Sequence, residues 1–530
     1  MKKLFFLPFL LYGFATAFAQ QPFSVSLVPS AITNVPAVHS CSFAEWNGKW
    51  VFIGGRIDGL HDFQGGMGFL KYKRNDSIYV VDPVANMIWV SALTTLPDYV
   101  REAVSSSNQE FFQSDSMLYI IGGYGRCDSL LTNITFPTLT SINLQQLIPA
   151  VVNGDSVNAA IRQLRDSNII VTGGRLEKID TTYYMIFGHR FDGMYNRLSG
   201  SNLFVQHYSN SIRKFSINDD GTSLAISNFT SVTDTDNFHR RDLNVVEQIF
   251  PNGEYGFTAF GGVFQKTANF PFLSPIDITP SYTQLNAGFN QNLNQYETAS
   301  MPVFDSTNNF MHTVFFGGIS LYTLDTNQVL VQDTLVPFVK TISKVSRDGA
   351  GNLSEYKFPI EMPSLIGTNA RFIPDHSVDI RHNAIVNLNS LSGNTRVGWI
   401  ISGIQSDQPN IADLDPASMS RPNSNVYEVW IDVTPNSVKD VLLSNNILGL
   451  NVYPNPAVHT AYIDFTLNEP GKTTIEIYDS KGGVVKEISF TGKKSEFIHL
   501  PVSTADFQAG LYTCRIRTAH GCKAARFIVR

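Results

Sequence analysis

Short apolar segments that end in two glycines, or a close variant, recur along most of the chain. The residues before each glycine are almost all apolar or aromatic, which is typical of strands buried on both faces. Glycine suits this place because backbones pass each other closely there with unusual torsion angles. The pattern predicts six irregular repeats, whose segments occupy residues 50–55, 118–123, 183–189, 257–262, 313–318 and 399–403.

Further candidate strands flank each segment. The third repeat contains an extra pair of glycines, Gly173 and Gly174. We interpret this pair as the end of the strand that precedes the apolar segment of that repeat. The pattern predicts about four strands in each repeat, with the second strand ending at the glycines. The candidate strands before the segments are residues 104–112, 244–250 and 384–388, and those after them are residues 77–82, 87–90, 211–216, 223–226 and 425–431.

Residues 23–435 therefore resemble the kelch β-propeller. Separate sheets would expose their edges, whereas a ring of blades leaves only short, protected ones. The sixth repeat lacks a clear fourth strand after residue 431, and residues 23–28 are expected to supply it and close the ring. The expected fold is all-β: a six-bladed kelch-like β-propeller followed by a small Ig-like β-sandwich. A β-sandwich or a β-helix is the alternative for the repeats.

The last eighty or so residues have a different texture, with strands and turns alternating as in an Ig-like sandwich. They resemble the type A sorting domain of type IX secretion substrates. The resemblance implies that a translocon reads the domain and that a sortase-like peptidase removes it. An ordinary Ig-like adhesion domain is the alternative. The residues that carry the resemblance, and hence the expected sorting signal, are Tyr453, Pro454, Asn455, Pro456, Gly510 and Tyr512, with a basic and apolar final strand.

The N-terminus predicts a signal peptide. Lys2 and Lys3 precede an apolar run at residues 4–14, and Ala17 and Ala19 provide the small residues of a cleavage site. A transmembrane anchor is the alternative, but the run is shorter than the ~20 residues that a spanning helix needs. We expect a secreted or surface protein with four parts: signal peptide 1–19, propeller 20–435, linker 436–448 and sorting domain 449–530.

The charge and the cysteines of the chain limit its expected binding partners and disulfide bonds. Thirty-nine Lys and Arg against 45 Asp and Glu give a net charge of −6. Nucleic acid and anionic membranes reward a basic face, so neither is an expected partner. Cys41 and Cys127 are candidates for a disulfide, a question the sequence leaves open, whereas Cys514 and Cys522 are expected to lie on opposite faces of one ribbon and to stay unbonded.

Candidate binding residues cluster beside the glycines, where the loops of a propeller converge on the mouth of its channel. Arginines at this mouth are expected to bind the acidic groups of a glycan in a bidentate manner. The alternative is that they cap loops by pairing with Asp58 or Asp192. His239 is a candidate general base or metal ligand that Asp242 orients. The candidate ligand-binding residues are Arg56, Arg126, His189, Arg190, His239 and Arg240.

No catalytic motif stands out. Asp234 and Asp236 suit part of a calcium loop, but the glycine and the distal glutamate of a full loop are missing, so no cofactor is expected and calcium is the alternative. Neither the copper ligands of galactose-oxidase-like enzymes nor the Asp-boxes of sialidases are recognisable. We expect a binding or scaffolding module with a glycan or protein ligand. The alternative is a carbohydrate-active hydrolase, epimerase or oxidase with its site at the propeller mouth.

Overall fold

The computed structural model describes residues 22–63, 68–195, 204–326, 329–412, 414–434, 440–443 and 445–530. The predicted signal peptide, residues 1–19, lies outside these ranges. In the described part, α-helix is limited to Asp98–Val104 and Leu144–Asn153, and neither is long and apolar enough to span a membrane. Short 3-10 turns occupy Lys71–Lys73, Leu93–Thr95, Asp128–Leu130, Asn158–Ala160, Ser167–Ile169 and Leu388–Ser390.

Six blades of four antiparallel strands each form a β-propeller and are numbered here in chain order, and further strands extend the sheets of blades 5 and 6. Blades 1 to 3 contain Ser42–Trp46, Lys49–Ile53, Ser77–Asp82, Met87–Ala92; Glu110–Ser114, Met117–Ile121, Thr138–Asn143, Ile161–Arg165; and Arg175–Ile179, Thr182–Ile186, Ser211–Asp219, Leu224–Thr233. Blades 4 to 6 contain Asn244–Ile249, Tyr255–Phe260, Ile276–Ile278, Thr283–Leu285; Ala299–Asp305, Phe310–Phe316, Thr341–Arg347, Leu353–Glu361; and Leu365–Pro374, Asn394–Ser406, Tyr427–Asp432, Ser24–Pro29.

The N-terminal strand closes the ring. Ser24–Pro29 pairs antiparallel with Tyr427–Asp432 as the fourth strand of blade 6. Phe23 and Val25 are buried in the apolar core shared by blades 5 and 6. Burying side chains of this kind stabilises the fold by roughly 1.5–3 kcal/mol each. The expected closure by the N-terminal segment is confirmed.

Two expected strands are wrong. Residues 384–388 do not begin blade 6, because Ile385–Asn387 pairs in parallel with Ala299–Asp305 of blade 5. Residues before Gly173 and Gly174 form a 3-10 turn, and the first strand of blade 3 starts only at Arg175. Short apolar segments do not by themselves reveal which sheet edge they join or whether they form a strand at all, and this explains both errors.

The paired glycines lie where the second strand of a blade reaches its neighbour. Gly122 and Gly261 have positive φ angles of 66° and 59°. A Cβ atom added to them would overlap the carbonyl oxygens of Val171 and Gln295 in the next blade. The close passage of backbones is therefore the reason for these glycines.

A hydrogen-bonded ring of one residue from each blade surrounds the propeller axis. We call it the axial ring. Five of its six members have positive φ, which Asn, Asp, Ser and Gly tolerate best. Each member but one donates its backbone N–H to the carbonyl of the preceding member at 2.7–3.3 Å, and Ser40 Oγ donates to Asn369 Oδ1 at 3.0 Å. The axial ring consists of Ser40, Asn108, Gly173, Asp242, Glu297 and Asn369.

The C-terminal part is a β-sandwich, called here the tail sandwich. One sheet has three strands, Ile447–Tyr453, Thr460–Leu467 and Glu496–Ser503. The other has Gly471–Tyr478, Val484–Gly492, Gly510–Arg517 and Cys522–Val529, and it continues into a propeller hairpin formed by Tyr322–Leu324 and Leu330–Gln332.

The expected linker, residues 436–448, packs on the propeller where it is described. Val441–Leu443 adds a strand to the outer edge of blade 5 by pairing with Leu353–Glu361. Asp440 forms a buried ion pair with Lys344 at 2.9 Å. The expectation that few contacts cross this segment is therefore wrong, because its apolar residues complete a sheet edge.

The residues of the expected sorting signal hold the end of the final strand. Asn455 Oδ1 accepts the N–H of Ile528 at 2.8 Å, and Tyr453 donates its hydroxyl to Asp464 at 2.8 Å. Buried Tyr512 donates its hydroxyl to the carbonyl of Gln508 at 2.8 Å. Pro454 and Pro456 follow cis peptide bonds on either side of Asn455, and Gly510 starts the strand that contains Tyr512.

All four cysteines are free thiols. Cys41 lies in the core between blades 1 and 6, whereas Cys127 packs beside Phe136 near blade 2, so the two thiols are not bonded. In the tail sandwich, Cys514 lies opposite Ala525 and Cys522 lies opposite Arg517, which agrees with the expectation that they stay unbonded.

Candidate functional site

A cavity of about 760 Å³ opens at the propeller mouth, on the face where second strands connect to third strands. We call it the mouth cavity. The axial ring forms its floor through Ser40, Asn108, Asp242 and Asn369. Its walls come from the connections of all six blades. The ring-bearing side chains of the walls are His39, His61, Phe63, Phe69, Tyr124, His189, Phe191, Tyr195, Phe204, Tyr208, His239, Phe264, Phe270, Tyr296 and Phe338.

One wall is a cluster of packed rings from blades 1 and 3. The His61 ring lies with its centroid 4.4 Å from that of Phe69 and 4.8 Å from that of Tyr195. Phe191 stacks on Phe204 at 4.8 Å. Aromatic rings in such edge-to-face and offset contacts support each other, so this wall is a preformed apolar surface.

Arg56 lies in the cavity wall with its charge already compensated. Its Nε donates to Asp58 at 2.8 Å and its Nη2 donates to the second oxygen of the same carboxylate. Its guanidinium also lies 5.0 Å from the centroid of Phe69, a cation–π distance. The bidentate geometry leaves Arg56 little capacity to bind a second carboxylate.

Beside Arg56, burial lowers the pKa of His39 to about 4, and this outweighs the opposing effect of the Asp58 carboxylate. The ring nitrogens of His39 lie 2.9 Å from Ser40 Oγ and 2.9 Å from the Asp58 carbonyl oxygen. This histidine is therefore neutral at physiological pH and serves as a fixed polar group of the cavity.

A second compensated arginine also lines the cavity. Arg241 Nε donates to Asp242 at 3.2 Å, and its Nη1 donates to the hydroxyl of Tyr208. Tyr296 donates its hydroxyl to the same Asp242 carboxylate at 3.1 Å. Burial raises the pKa of Asp242, although Arg241 opposes this, and burial also raises the pKa of Tyr296 well above its usual value.

Two further histidines reach the cavity from blades 3 and 4. Gln206 Nε2 donates to Nδ1 of His189 at 2.7 Å, while burial and then the charge of Arg241 hold the pKa of His189 well below its usual value. His239 stacks on Tyr208, with ring centroids 3.7 Å apart. Its Nδ1 donates to Asn210 at 3.0 Å, so the expectation that Asp242 orients His239 is wrong.

The six predicted site residues divide into two groups. Arg56, His189 and His239 line the mouth cavity, whereas Arg126, Arg190 and Arg240 do not. Arg190 follows His189 in a strand, so it points to the other face, where it is half exposed and pairs with Asp192 at 2.5 Å.

The remaining two arginines are also occupied elsewhere. Arg126 lies 3.3 Å from Asp128 at the propeller surface. Arg240 is fully buried and donates to three backbone carbonyls, those of Asn237, Gly261 and Ser274, at 2.7–3.1 Å. For these arginines, the alternative that they cap loops describes their contacts better.

The sequence did not single out Arg241, Tyr208, Tyr296, His39 or His61. A usable signal existed for three of them: His39, Arg241 and Tyr296 each stand directly before an axial-ring residue, namely Ser40, Asp242 and Glu297. Thr172 and Thr368 stand in the same place before Gly173 and Asn369 and also line the cavity. The position just before a blade's first strand therefore marks the cavity floor.

Asp234 and Asp236 build a turn. The carboxylate of Asp234 accepts the backbone N–H groups of Asp236 and Asn237 at 3.0 Å and the Asn237 side chain at 2.8 Å. Asp236 binds Lys266 at 2.9 Å. Across the described ranges, no three His, Cys, Asp or Glu side chains converge as a metal site would require. The calcium alternative therefore has no support from these contacts.

The chain is similar in part to several solved structures. It shares 11% identity with YjhT over 76% of this chain and 98% of that chain, with a TM-score of 0.41. It shares 10% with PorZ, a surface component of the type IX secretion system of Porphyromonas gingivalis, over 92% of this chain and 59% of PorZ (TM-score 0.23). It shares 12% identity with sucrose-6-phosphate hydrolase from Lactobacillus gasseri over 93% of this chain and 88% of that chain, with a TM-score of 0.29. The TM-scores are low, so the fold described above rests on the strand pairings themselves.

A comparison with curated proteins gave no match. Residues 451–530 match the family model described as the secretion system C-terminal sorting domain. The matched range includes all six residues of the expected sorting signal. A type IX sorting domain implies an interaction with that secretion machinery, and the chain is therefore exported to the cell surface or the extracellular space.

Proposed function

We propose that the exported protein is a binding module whose mouth cavity binds a glycan. The observation that carries this proposal is a preformed cavity of about 760 Å³ with an apolar ring wall and a polar floor. Ligand sites are typically concave and mostly apolar, with a few polar groups that fix orientation. A sugar ring matches this combination, since its C–H faces pack on aromatic rings and its hydroxyls bind polar groups.

The charges of the cavity favour a neutral glycan. The guanidiniums of Arg56 and Arg241 are each held by a carboxylate, Asp58 and Asp242. His39 and His189 are neutral because burial lowers their pKa. An acidic ligand would have to break these ion pairs, whereas sugar hydroxyls can bind to them as they stand.

The chain plan expected from the sequence remains part of this proposal. It comprises a signal peptide at residues 1–19, a kelch-like propeller at 20–435, a linker at 436–448 and an Ig-like sorting domain at 449–530. The proposed partners are the type IX translocon and a sortase-like peptidase that acts on the sorting domain.

An enzyme acting on carbohydrate has less support. Hydrolysis of a glycosidic bond usually requires two carboxyl groups, one on each side of the bond. Among the described residues that line the mouth cavity, Asp242 is the only carboxylate, and Arg241 and Tyr296 already bind it. A binding role requires no such pair.

The test is a glycan array followed by calorimetry with the mature protein. Tyr195→Ala removes one ring of the wall, and we expect it to weaken binding of any array hit at least tenfold. Tyr72→Ala is the matched control, because Tyr72 is 69% exposed and lies outside the cavity. An array without any hit, or equal effects of the two substitutions with folding intact, would contradict the proposal.

A further inference from the structure

The tail sandwich and the propeller share a continuous sheet. The final strand, Cys522–Val529, pairs with Gly510–Arg517 on one side and with the propeller strand Leu330–Gln332 on the other. The second pairing is parallel and matches Leu330 with Lys523 and Gln332 with Ala525. Both edges of the final strand are thus occupied, and one of the partners belongs to the propeller.

A buried polar network lies at this junction. Lys523 is 2% exposed, and its Nζ donates to Asn292 Oδ1 of the propeller at 2.8 Å. The Asn292 side chain in turn donates to the Glu355 carboxylate at 3.0 Å, and the same carboxylate accepts the N–H of Asn292 at 2.7 Å and that of Leu293 at 3.0 Å. Lys523 Nζ also lies 4.4 Å from the ring centroid of buried Tyr322.

Other contacts extend the interface on both sides of Lys523. Tyr322 donates its hydroxyl to the carbonyl of Leu450 at 3.4 Å, and Asn468 donates to the carbonyl of Gly288 at 3.0 Å. The N–H of Asn290 binds the Asn445 side chain at 3.1 Å. Leu443 packs in the same apolar cluster as Tyr322. Loss of the tail sandwich would expose these apolar groups to water and leave Asn292 Oδ1 without its Lys523 donor.

We propose that the tail sandwich stays bound to the propeller through this interface after export, even when the chain is cut between residues 434 and 440. Removing one partner of a buried polar network is unfavourable because the other partner is left without its hydrogen bond. Strand pairing adds directional hydrogen bonds to the apolar contact. The tail sandwich then remains part of the folded protein after it has served as a sorting signal.

This interface also holds one wall of the mouth cavity. Thr334, Leu335, Val336 and Phe338 line the cavity and follow directly after the strand that pairs with the tail sandwich. A bound tail sandwich therefore restrains the segment on which this wall depends.

The test uses the mature chain with a specific protease site in place of residues 435–439. After complete cleavage, we expect the two fragments to elute together from a sizing column at about 1 µM. Separate elution of two folded fragments would overturn the proposal. Hydrogen exchange of residues 321–338 gives a second readout, and we expect it to remain slow after the cut.

Substitutions identify the anchor. Lys523→Met should raise the dissociation constant of the cut fragments at least tenfold and speed hydrogen exchange in residues 321–338. Lys486→Met is the matched control, since Lys486 is an exposed lysine in another strand of the same sandwich. Equal dissociation constants and equal exchange rates in the two variants, with circular dichroism showing that both variants are folded, would refute the role of the buried network.

Discussion

The two ends of the propeller channel differ in size, chemistry and origin. The mouth cavity has about 760 Å³ and is walled by rings and compensated charges. A cavity of about 240 Å³ at the opposite end is lined by charged groups that include Arg175, Glu297 and Arg371. The axial ring forms the floor of the larger cavity, and its member Glu297 also lines the smaller one.

The difference follows from which parts of the chain build each end. Short turns join first to second strands at the small end, such as Asn47 and Gly48 between two strands of blade 1. The connections at the mouth are long enough to contribute hairpins such as His189–Gly193 with Phe204–Tyr208. A rigid scaffold with short turns at one end and long loops at the other concentrates a ligand site at the loop end.

The largest loss of stability should come from deleting the strand that closes the ring of blades. A mature chain that starts at Ile32 lacks Ser24–Pro29, so blade 6 loses its fourth strand and Phe23 and Val25 leave the core. Because folded domains are stable by only about 5–15 kcal/mol, this loss should abolish cooperative folding of the propeller and both cavities with it. Thermal unfolding measures this. A chain that starts at Pro22 is the control, and equal melting of the two chains would contradict closure by the N-terminal strand.

Glycine-to-alanine substitutions should cause a smaller loss of stability, and this loss should be greater on the crowded mouth side than at the open turns of the other end. Gly261 and Gly253 both have positive φ, 59° and 82°. A Cβ at Gly261 would overlap the carbonyl of Gln295, whereas nothing lies within 4 Å of a Cβ at Gly253. We expect Gly261→Ala to destabilise the protein by more than ~3 kcal/mol and Gly253→Ala by about 1 kcal/mol. Denaturant titration compares the two variants, and equal losses would show that the close passage at the mouth is not a constraint.

Two buried groups close to the axial ring should respond to pH in opposite directions. The pKa of His39, near the mouth, falls from 6.5 to about 4, whereas the pKa of Glu110, on a first strand, rises from 4.5 to about 8, both mainly because of burial. Only the unfolded chain protonates His39 between pH 6.5 and 4, so this residue lowers stability as the pH falls. Only the unfolded chain loses the Glu110 proton between pH 4.5 and 8, so Glu110 lowers stability as the pH rises.

Each group should contribute about 1.4 kcal/mol per pH unit within its window. The two slopes oppose each other between pH 4.5 and 6.5, so together these two groups lower stability mainly from pH 6.5 to 8. Glu110→Gln should remove that loss, and His39→Gln should uncover a decline with rising pH that begins near 4.5. Urea unfolding at intervals of half a pH unit checks this, and unchanged slopes in both variants would contradict it.

The smallest effect is expected at the mouth rim. Arg190 is half exposed and its ion pair with Asp192 is reached by solvent. Arg190→Ala should therefore change the free energy of unfolding by less than ~1 kcal/mol and leave glycan binding unchanged. A loss of binding in this variant, measured by calorimetry, would return the site to the arginines outside the cavity.

The amino-acid sequence by itself determined the repeats, the closing strand and the sorting domain. Apolar segments that end at Gly55, Gly123, Gly262 and Gly318 mark second strands because the close passage of backbones there excludes a side chain. The N-terminal strand could be assigned to the missing fourth position of blade 6 because a ring of blades must close. These features are local or follow from simple counting.

Only the tertiary structure decided which side chains meet in the cavity and where the tail sandwich lies. His189 and Arg190 are neighbours in sequence, yet strand alternation sends one into the cavity and the other to the opposite face. Arg240 and Arg241 are also neighbours in sequence, yet one lies in a buried cage of carbonyls and the other in the cavity wall. Lys523 and Asn292 are 231 positions apart, and no local pattern indicates that they meet. Contacts of this kind depend on the packing of distant elements, which a single sequence does not reveal.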